Sequence, residues 1–228
     1  MLTKETTTLL LNIFYSVILT KIIFLNTLLI GQNTGSWELI KNYNNIKVYE
    51  QRIPRSQIKK IKVESVIVAT LSNIVTLFKD AENHSNWVFL SERAEIIEEK
   101  DDFCWKYYSY SDSPWPVANR DYYTDVVLEQ NKTDYSITIT SVAIPDYKPK
   151  VDGCVRIPYI NSIWTLNPIG NGSVHVSFEL EIDPGGTIPP WVVNLVIAKG
   201  PYNTMMGLID ELKTNNCQNK KLEYINEL

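Results

Sequence analysis

The chain has 228 residues, 44% of them apolar, enough for one domain of ordinary size with a real core. A net charge of −4 with both signs interspersed offers phosphates no basic field, so nucleic acid is excluded as an expected partner. Three cysteines without a CxxC pair, and two histidines far from them, give neither a disulfide framework nor a metal-ligand spacing, and no cofactor is implied.

Residues 9–30 are almost wholly apolar, interrupted by Asn12, Ser16, Thr20, Lys21, Asn26 and Thr27. The run 22–30 has the length of a signal-peptide core, preceded by the charge of Lys21 and followed by the small residue Gly31. Cleavage near Gly31 or Gln32 would export the remainder across the cytoplasmic membrane, to a periplasmic or secreted location. The other reading makes the whole stretch one membrane anchor, with Lys21 near the bilayer centre at a cost of about 3 kcal/mol. Residues 1–31 are therefore a signal peptide or membrane anchor, 37–213 a globular domain, and 214–228 a loose polar tail.

After a polar linker, residues 37–41 read as one or two helical turns, and 46–52 and 59–69 as strands. Thr70 or Ser72 can cap a helix whose apolar residues Ile74, Val75, Leu77, Phe78 and Ala81 recur at three and four positions. Strands follow at 94–99, 103–110, 122–129, 135–143, 155–166 and 174–182, separated by Asp, Asn, Gly and Pro clusters. In the last, Val174, Val176, Phe178, Leu180 and Ile182 alternate with polar residues, which puts His175 on the solvent face. A second helix starts at Pro189 or Pro190 and runs to about Lys213. Its near-continuous apolar stretch from Trp191 asks for cover on most sides, and Gly200 with Pro201 should bend or break it. The fold class is α+β, a curved antiparallel β-sheet wrapped around a long C-terminal helix. Such a sheet either leaves an internal apolar cavity against the helix or packs solid, and the pattern alone leaves both open.

Three segments bear on that choice. PWPVANRD at 114–121 resembles the PxPxxxRD signature of START (steroidogenic acute regulatory protein-related lipid transfer) domains. GCVRI at 153–157 is similar to the G-V-I-R opening of the next strand in that family, and DPGGTIPPWVVN at 183–194 resembles the entry to its C-terminal helix, especially in the phosphatidylcholine transfer protein branch. Their order and spacing agree with the family across 37–213. The resemblance implies the helix-grip fold, an internal cavity, and a C-terminal helix that lids it.

Ligand-binding residues of cavity and lid are then expected at Trp87, Trp105, Tyr107, Tyr122, Val126, Ile188, Trp191, Val192 and Leu195. Strand parity points Tyr122, Thr124, Val126 and Leu128 inward with Asp125 and Glu129 outward, and likewise Phe103, Trp105 and Tyr107 inward with Lys106 outward. Structural roles fall to Arg120 and Asp121 as an ion pair fixing the loop, to Arg156, and to Gly185 and Gly186, which can take positive φ ahead of a helix that Thr187 can cap. Where the phosphatidylcholine-binding branch carries an Arg and an Asp that clasp the head group, this sequence has His84 and Val88. The acid and base of the sterol-binding branch correspond to Tyr107 and Val126. A wall without charge suits a ligand whose polar part is neutral or reaches solvent: a sterol, an acyl chain, a carotenoid-like pigment or a quinone.

The leading functional reading is a monomeric, non-catalytic module that binds a lipid or sterol-like molecule and touches membranes transiently through the lid helix and neighbouring loops. The alternative is a helix-grip enzyme of the polyketide cyclase or aromatase type, which needs a general acid or base inside the cavity. His84 is the candidate, and its place near a helix end suggests solvation instead. A third reading is a membrane-tethered adaptor with a filled interior.

Overall fold

The computed structural model describes residues 35–113, 117–214 and 220–228. The export or anchor segment, residues 114–116 of the PxPxxxRD motif, and the side chains of Leu195 and Ala198 lie outside the described residues.

The domain opens with three strands, β1 (Glu38–Tyr43), β2 (Ile46–Gln51) and β3 (Lys60–Val68). The helical turns expected over 37–41 are thus replaced by an edge strand. Asn44 and Asn45 both hold positive φ, 51° and 60°, in a two-residue turn that pairs Tyr43 with Ile46, and such a turn dictates a hairpin. Helix α1 (Leu71–Lys79) follows, with the Thr70 hydroxyl accepting from the Asn73 N–H at 3.1 Å as the sequence suggested. A six-residue 3₁₀ segment, Ala81–Asn86, carries the chain onward.

Seven more strands come next: β4 (Ser91–Asp101), β5 (Cys104–Ser111), β6 (Asn119–Gln130), β7 (Ile137–Ala143), β8 (Cys154–Arg156), β9 (Tyr159–Gly170) and β10 (Ser173–Asp183). The strand expected at 155–166 is therefore two. Pro158 removes a ladder donor between them, and β8 pairs in parallel with β6 while β9 continues the antiparallel sheet. The main path runs β1-β2-β3-β10-β9-β7-β6-β5-β4, all neighbours antiparallel.

The chain closes with α2 (Pro190–Lys213), which packs on β2, β3 and β10. This is the helix-grip fold. One face of the sheet supplies the core: Val48, Ile61, Val63, Leu166, Val174 and Val176 are buried by strand alternation, and Val193, Ile197, Met205, Leu208 and Leu212 meet them from α2. Each such side chain contributes about 1.5–3 kcal/mol on leaving water.

Helix α2 stays unbroken through Gly200 and Pro201, and Pro189 rather than Thr187 occupies its N-cap, with no side-chain cap bond. Nor is it covered all round, since Trp191 is 72% and Val196 42% exposed. Phe103 also departs from its parity. It sits in the β4–β5 turn, where its N–H donates to Asp101, and its half-exposed ring stands edge-on to Tyr224 at 5.4 Å. The tail is docked where it is described. Ile225 is buried, and the Glu227 carboxylate accepts from the N–H groups of Leu71 and Ser72 at the start of α1.

Candidate functional site

Between the sheet and the middle of α2 lies a cavity of about 280 Å³. Its apolar floor is an aromatic cluster: Trp164 stacks on Phe178 at 4.1 Å, Phe78 meets Trp164 edge-on at 5.1 Å, and Trp87 meets Phe78 at 5.5 Å. Such rings offer large contact area in fixed orientations. Three tryptophans, Trp87, Trp105 and Trp164, line the space and leave it open.

A polar arc runs along the other wall. Tyr107, Ser109 and Ser111 come from alternate positions of β5, with Ser113 just beyond it. Arg120, Tyr122, Thr124 and Val126 come from one face of β6. The strands' register sets Tyr107 opposite Thr124, Ser109 opposite Tyr122 and Ser111 opposite Arg120. Ser91, Ser141 and Ser162 add further hydroxyls.

His84 lies inside this wall, 5% exposed, which corrects the expectation that it is solvated. The 3₁₀ segment turns its ring inward against Trp87, with centroids 5.0 Å apart. Its Nε2 is 3.0 Å from the Leu77 carbonyl, an acceptor, so Nε2 carries the proton and Nδ1 accepts from the Tyr107 hydroxyl at 2.8 Å. Burial lowers the imidazole pKa to about 4 and pushes the Tyr107 phenol well above its usual range.

The expected Arg120–Asp121 pair is not formed. Neighbouring strand residues face opposite sides, so Asp121 points away from the cavity and binds Arg156, Nε to Oδ1 at 2.8 Å and Nη2 to Oδ2 at 2.9 Å, both side chains fully buried. Arg156 also donates to the carbonyls of Pro145, Lys148 and Pro149, which uses all five of its N–H groups and ties the loop before β8 to the sheet. Arg120 points into the cavity instead. It donates to the Ala118 carbonyl and, at 3.5 Å, to that of Gly185, and its Nε has no partner among the described residues. The uncharged wall inferred from the sequence is thus overturned. The Thr124 hydroxyl, also on the wall, is likewise unpartnered among the described residues.

Of the residues singled out in the sequence, Trp87, Trp105, Tyr107, Tyr122 and Val126 share the cavity wall. Ile188, Trp191 and Val192 do not, because α2 meets the cavity through Gly200, Pro201 and Thr204, three turns further on than the apolar run suggested. Gly185 and Gly186 hold φ of +65° and +72° in the turn before α2, the left-handed conformation that glycine tolerates best. The serines are not singled out in the sequence, while His84 and Arg120 are given other places there, a solvated helix end and a loop ion pair. Extending the inward parity of Tyr122 and Tyr107 by one step reaches Arg120 and Ser109, and the resemblance already puts His84 and Val88 at the head-group positions; both residues line the cavity. Among the described residues no group of three or more His, Cys, Asp or Glu side chains is placed to hold a metal ion.

Fold and cavity together define a START-type helix-grip domain, and the chain belongs to the START domain family, whose profile matches residues 26–217. It is 31% identical to an uncharacterized protein of Pseudomonas aeruginosa over 75% of this chain and 84% of that one. It is 24% identical to the phosphatidylcholine transfer protein of Mus musculus over 82% of this chain and 86% of that one. Among solved structures, a STAR-related lipid transfer protein fragment from Xanthomonas axonopodis superposes with a TM-score of 0.73 at 31% identity, covering 78% of this chain and 99% of that one.

Proposed function

We propose that the protein binds a lipid or another bulky apolar molecule in this cavity and passes it between membranes, with α2 as the gate. The observation that carries the reading is the open volume of about 280 Å³ walled by tryptophans, where a solid interior was the alternative. The similarity to a STAR-related lipid transfer protein at 31% identity supports it.

The gate is the stretch Gly200–Thr204. Pro201 has no N–H for the carbonyl four residues earlier, so the helix ladder is weakest where it meets the cavity. Phe89 latches this point from the loop before β4: its N–H donates to the Thr204 hydroxyl at 3.1 Å, and its ring lies against Gly200. Releasing that bond and ring contact loosens the helix from the loop over the cavity. The exposed Trp191 and Val196 on the same helix supply the membrane-facing contact.

An enzymatic reading asks for an acid or base free to act inside the cavity. His84 is there, but both ring nitrogens are engaged, by Leu77 and Tyr107, and its lowered pKa keeps it neutral. This arrangement orients the Tyr107 hydroxyl and leaves binding as the favoured activity.

The test is vesicle-to-vesicle transfer of fluorescent acyl and sterol probes by the purified full chain. Saturable uptake followed by transfer is expected. Failure to take up any probe would overturn the proposal. We further propose that residues 9–30 direct export; N-terminal sequencing of the mature protein that returned an intact Met1 would contradict cleavage.

A further inference from the structure

Among the described residues the cavity wall holds a cation, Arg120, without a counter-ion. Arg120 is 6% exposed and makes no ion pair among the described residues, its sequence neighbour Asp121 being fully engaged by Arg156 on the other side of the sheet. A buried guanidinium costs several kcal/mol unless it is paired, and a structural role would have matched it with a carboxylate, as Asp121 matches Arg156. Its two carbonyl contacts, to Ala118 and Gly185, orient the group without neutralising it. Arg120, whose buried Nε has no partner among the described residues, and Ser111, directly opposite in the β5–β6 register, both line the cavity. Beyond them the same wall continues through Tyr122 and Thr124 to the tryptophan-lined floor.

From this juxtaposition we propose that the cavity selects amphiphiles with an anionic oxygen head group, carboxylate or phosphate, which binds Arg120 while the apolar body lies against Trp87, Trp105 and Trp164. The inference deepens the lipid-binding reading and rests on it. A planar fork of N–H donors suits either oxyanion, each of which can accept two parallel hydrogen bonds. The charge left uncompensated among the described residues is then balanced by the cargo.

Binding of hexadecanoate, hexadecyl phosphate, hexadecanol and hexadecyltrimethylammonium to the full chain, read by quenching of the cavity tryptophans, tests the proposal. Inorganic phosphate serves as the head group alone. The two anions are expected to bind about ten- to a hundredfold tighter than hexadecanol, the range for a hydrogen bond to a charged group. The cationic amphiphile should bind weakest, and inorganic phosphate should not compete. Comparing the two anions decides between a fatty-acid and a phospholipid source. In Arg120→Gln the preference for anions should vanish while hexadecanol still binds, and Arg120→Lys should keep part of it. Hexadecanol binding the unaltered protein as tightly as the anions would overturn this inference and leave the lipid-binding reading standing; no binding of any amphiphile would remove both. The head-group series on the unaltered chain decides the matter even if the variants fail to fold.

Discussion

Asp121 on β6 and Arg156 on β8 face each other across a parallel strand pair, joined by two hydrogen bonds of 2.8 and 2.9 Å with both side chains out of reach of water. The Tyr123 ring covers the guanidinium at 4.6 Å. Two buried charges repay their desolvation only together, so removing one strands the other. Asp121→Ala is expected to destabilise the domain by about 3–5 kcal/mol. The double substitution Asp121→Leu with Arg156→Met should recover much of that loss. Urea unfolding of the two variants checks both statements, and a single variant as stable as the parent would refute them.

His84 makes stability depend on pH in a defined window. Its folded pKa, about 4, lies below its unfolded value near 6.5. Above 6.5 the ring is neutral in both states and has no effect; as pH falls, the unfolded chain takes up the proton first and stability drops until the folded pKa is reached. The loss across that interval is about 3 kcal/mol. His84→Gln, less stable at neutral pH because its bonds to Tyr107 and Leu77 are impaired, should lack this part of the pH dependence. Parallel unfolding curves at about pH 7 and pH 4 measure it. Identical slopes for parent and variant would remove His84 from the account.

Three donors at the start of α1 are satisfied from two directions: the Asn73 N–H by Thr70, and those of Leu71 and Ser72 by Glu227 from the C-terminal tail. The carboxylate also complements the positive end of the helix. Glu227→Gln is expected to cost about 0.5–2 kcal/mol by thermal unfolding, the range for losing a cap. Removing residues 220–228 should cost more, because Ile225 leaves the core as well. A truncated chain that melts with the parent would contradict the docked tail.

Gly207 on α2 presses against the backbone of Trp87. A Cβ at that position would clash with the Trp87 carbonyl oxygen and stand 2.8 Å from its Cα, neither of which can swing aside. In an open helix Gly→Ala gains about 1 kcal/mol, so the sign of the effect is diagnostic. Gly207→Ala should destabilise by about 1–3 kcal/mol and disturb the cavity through Trp87. A stabilised variant would contradict the close approach of helix and loop.

Strand alternation and the three motif segments made the helix grip legible before any coordinates, because period-2 burial along β6 and β10 leaves a direct mark in the residue order. What stayed hidden depends on contacts distant in the chain. Arg120 and Asp121 are adjacent and of opposite charge, and only the strand's two-sided geometry shows that they cannot pair. His84 needed the 3₁₀ segment to turn it inward, and short 3₁₀ pieces leave weak patterns. The hairpin at Asn44 and Asn45 was missed because its turn residues are Asn–Asn, less emphatic than Asn–Gly. The apolar run from Trp191 suggested the lid's cavity face, yet helix phase and the approach of Gly207 to Trp87 bring Gly200, Pro201 and Thr204 there instead.

The claim on which the functional account depends is that the space beneath α2 holds cargo. Native mass spectrometry of the purified chain, followed by organic extraction and identification of what is released, tests it most directly. The expected result is a mass excess over the polypeptide that disappears on extraction and corresponds to one amphiphile per chain. A spectrum showing the bare polypeptide alone, from protein that also stays empty after incubation with acyl and sterol amphiphiles, would contradict it.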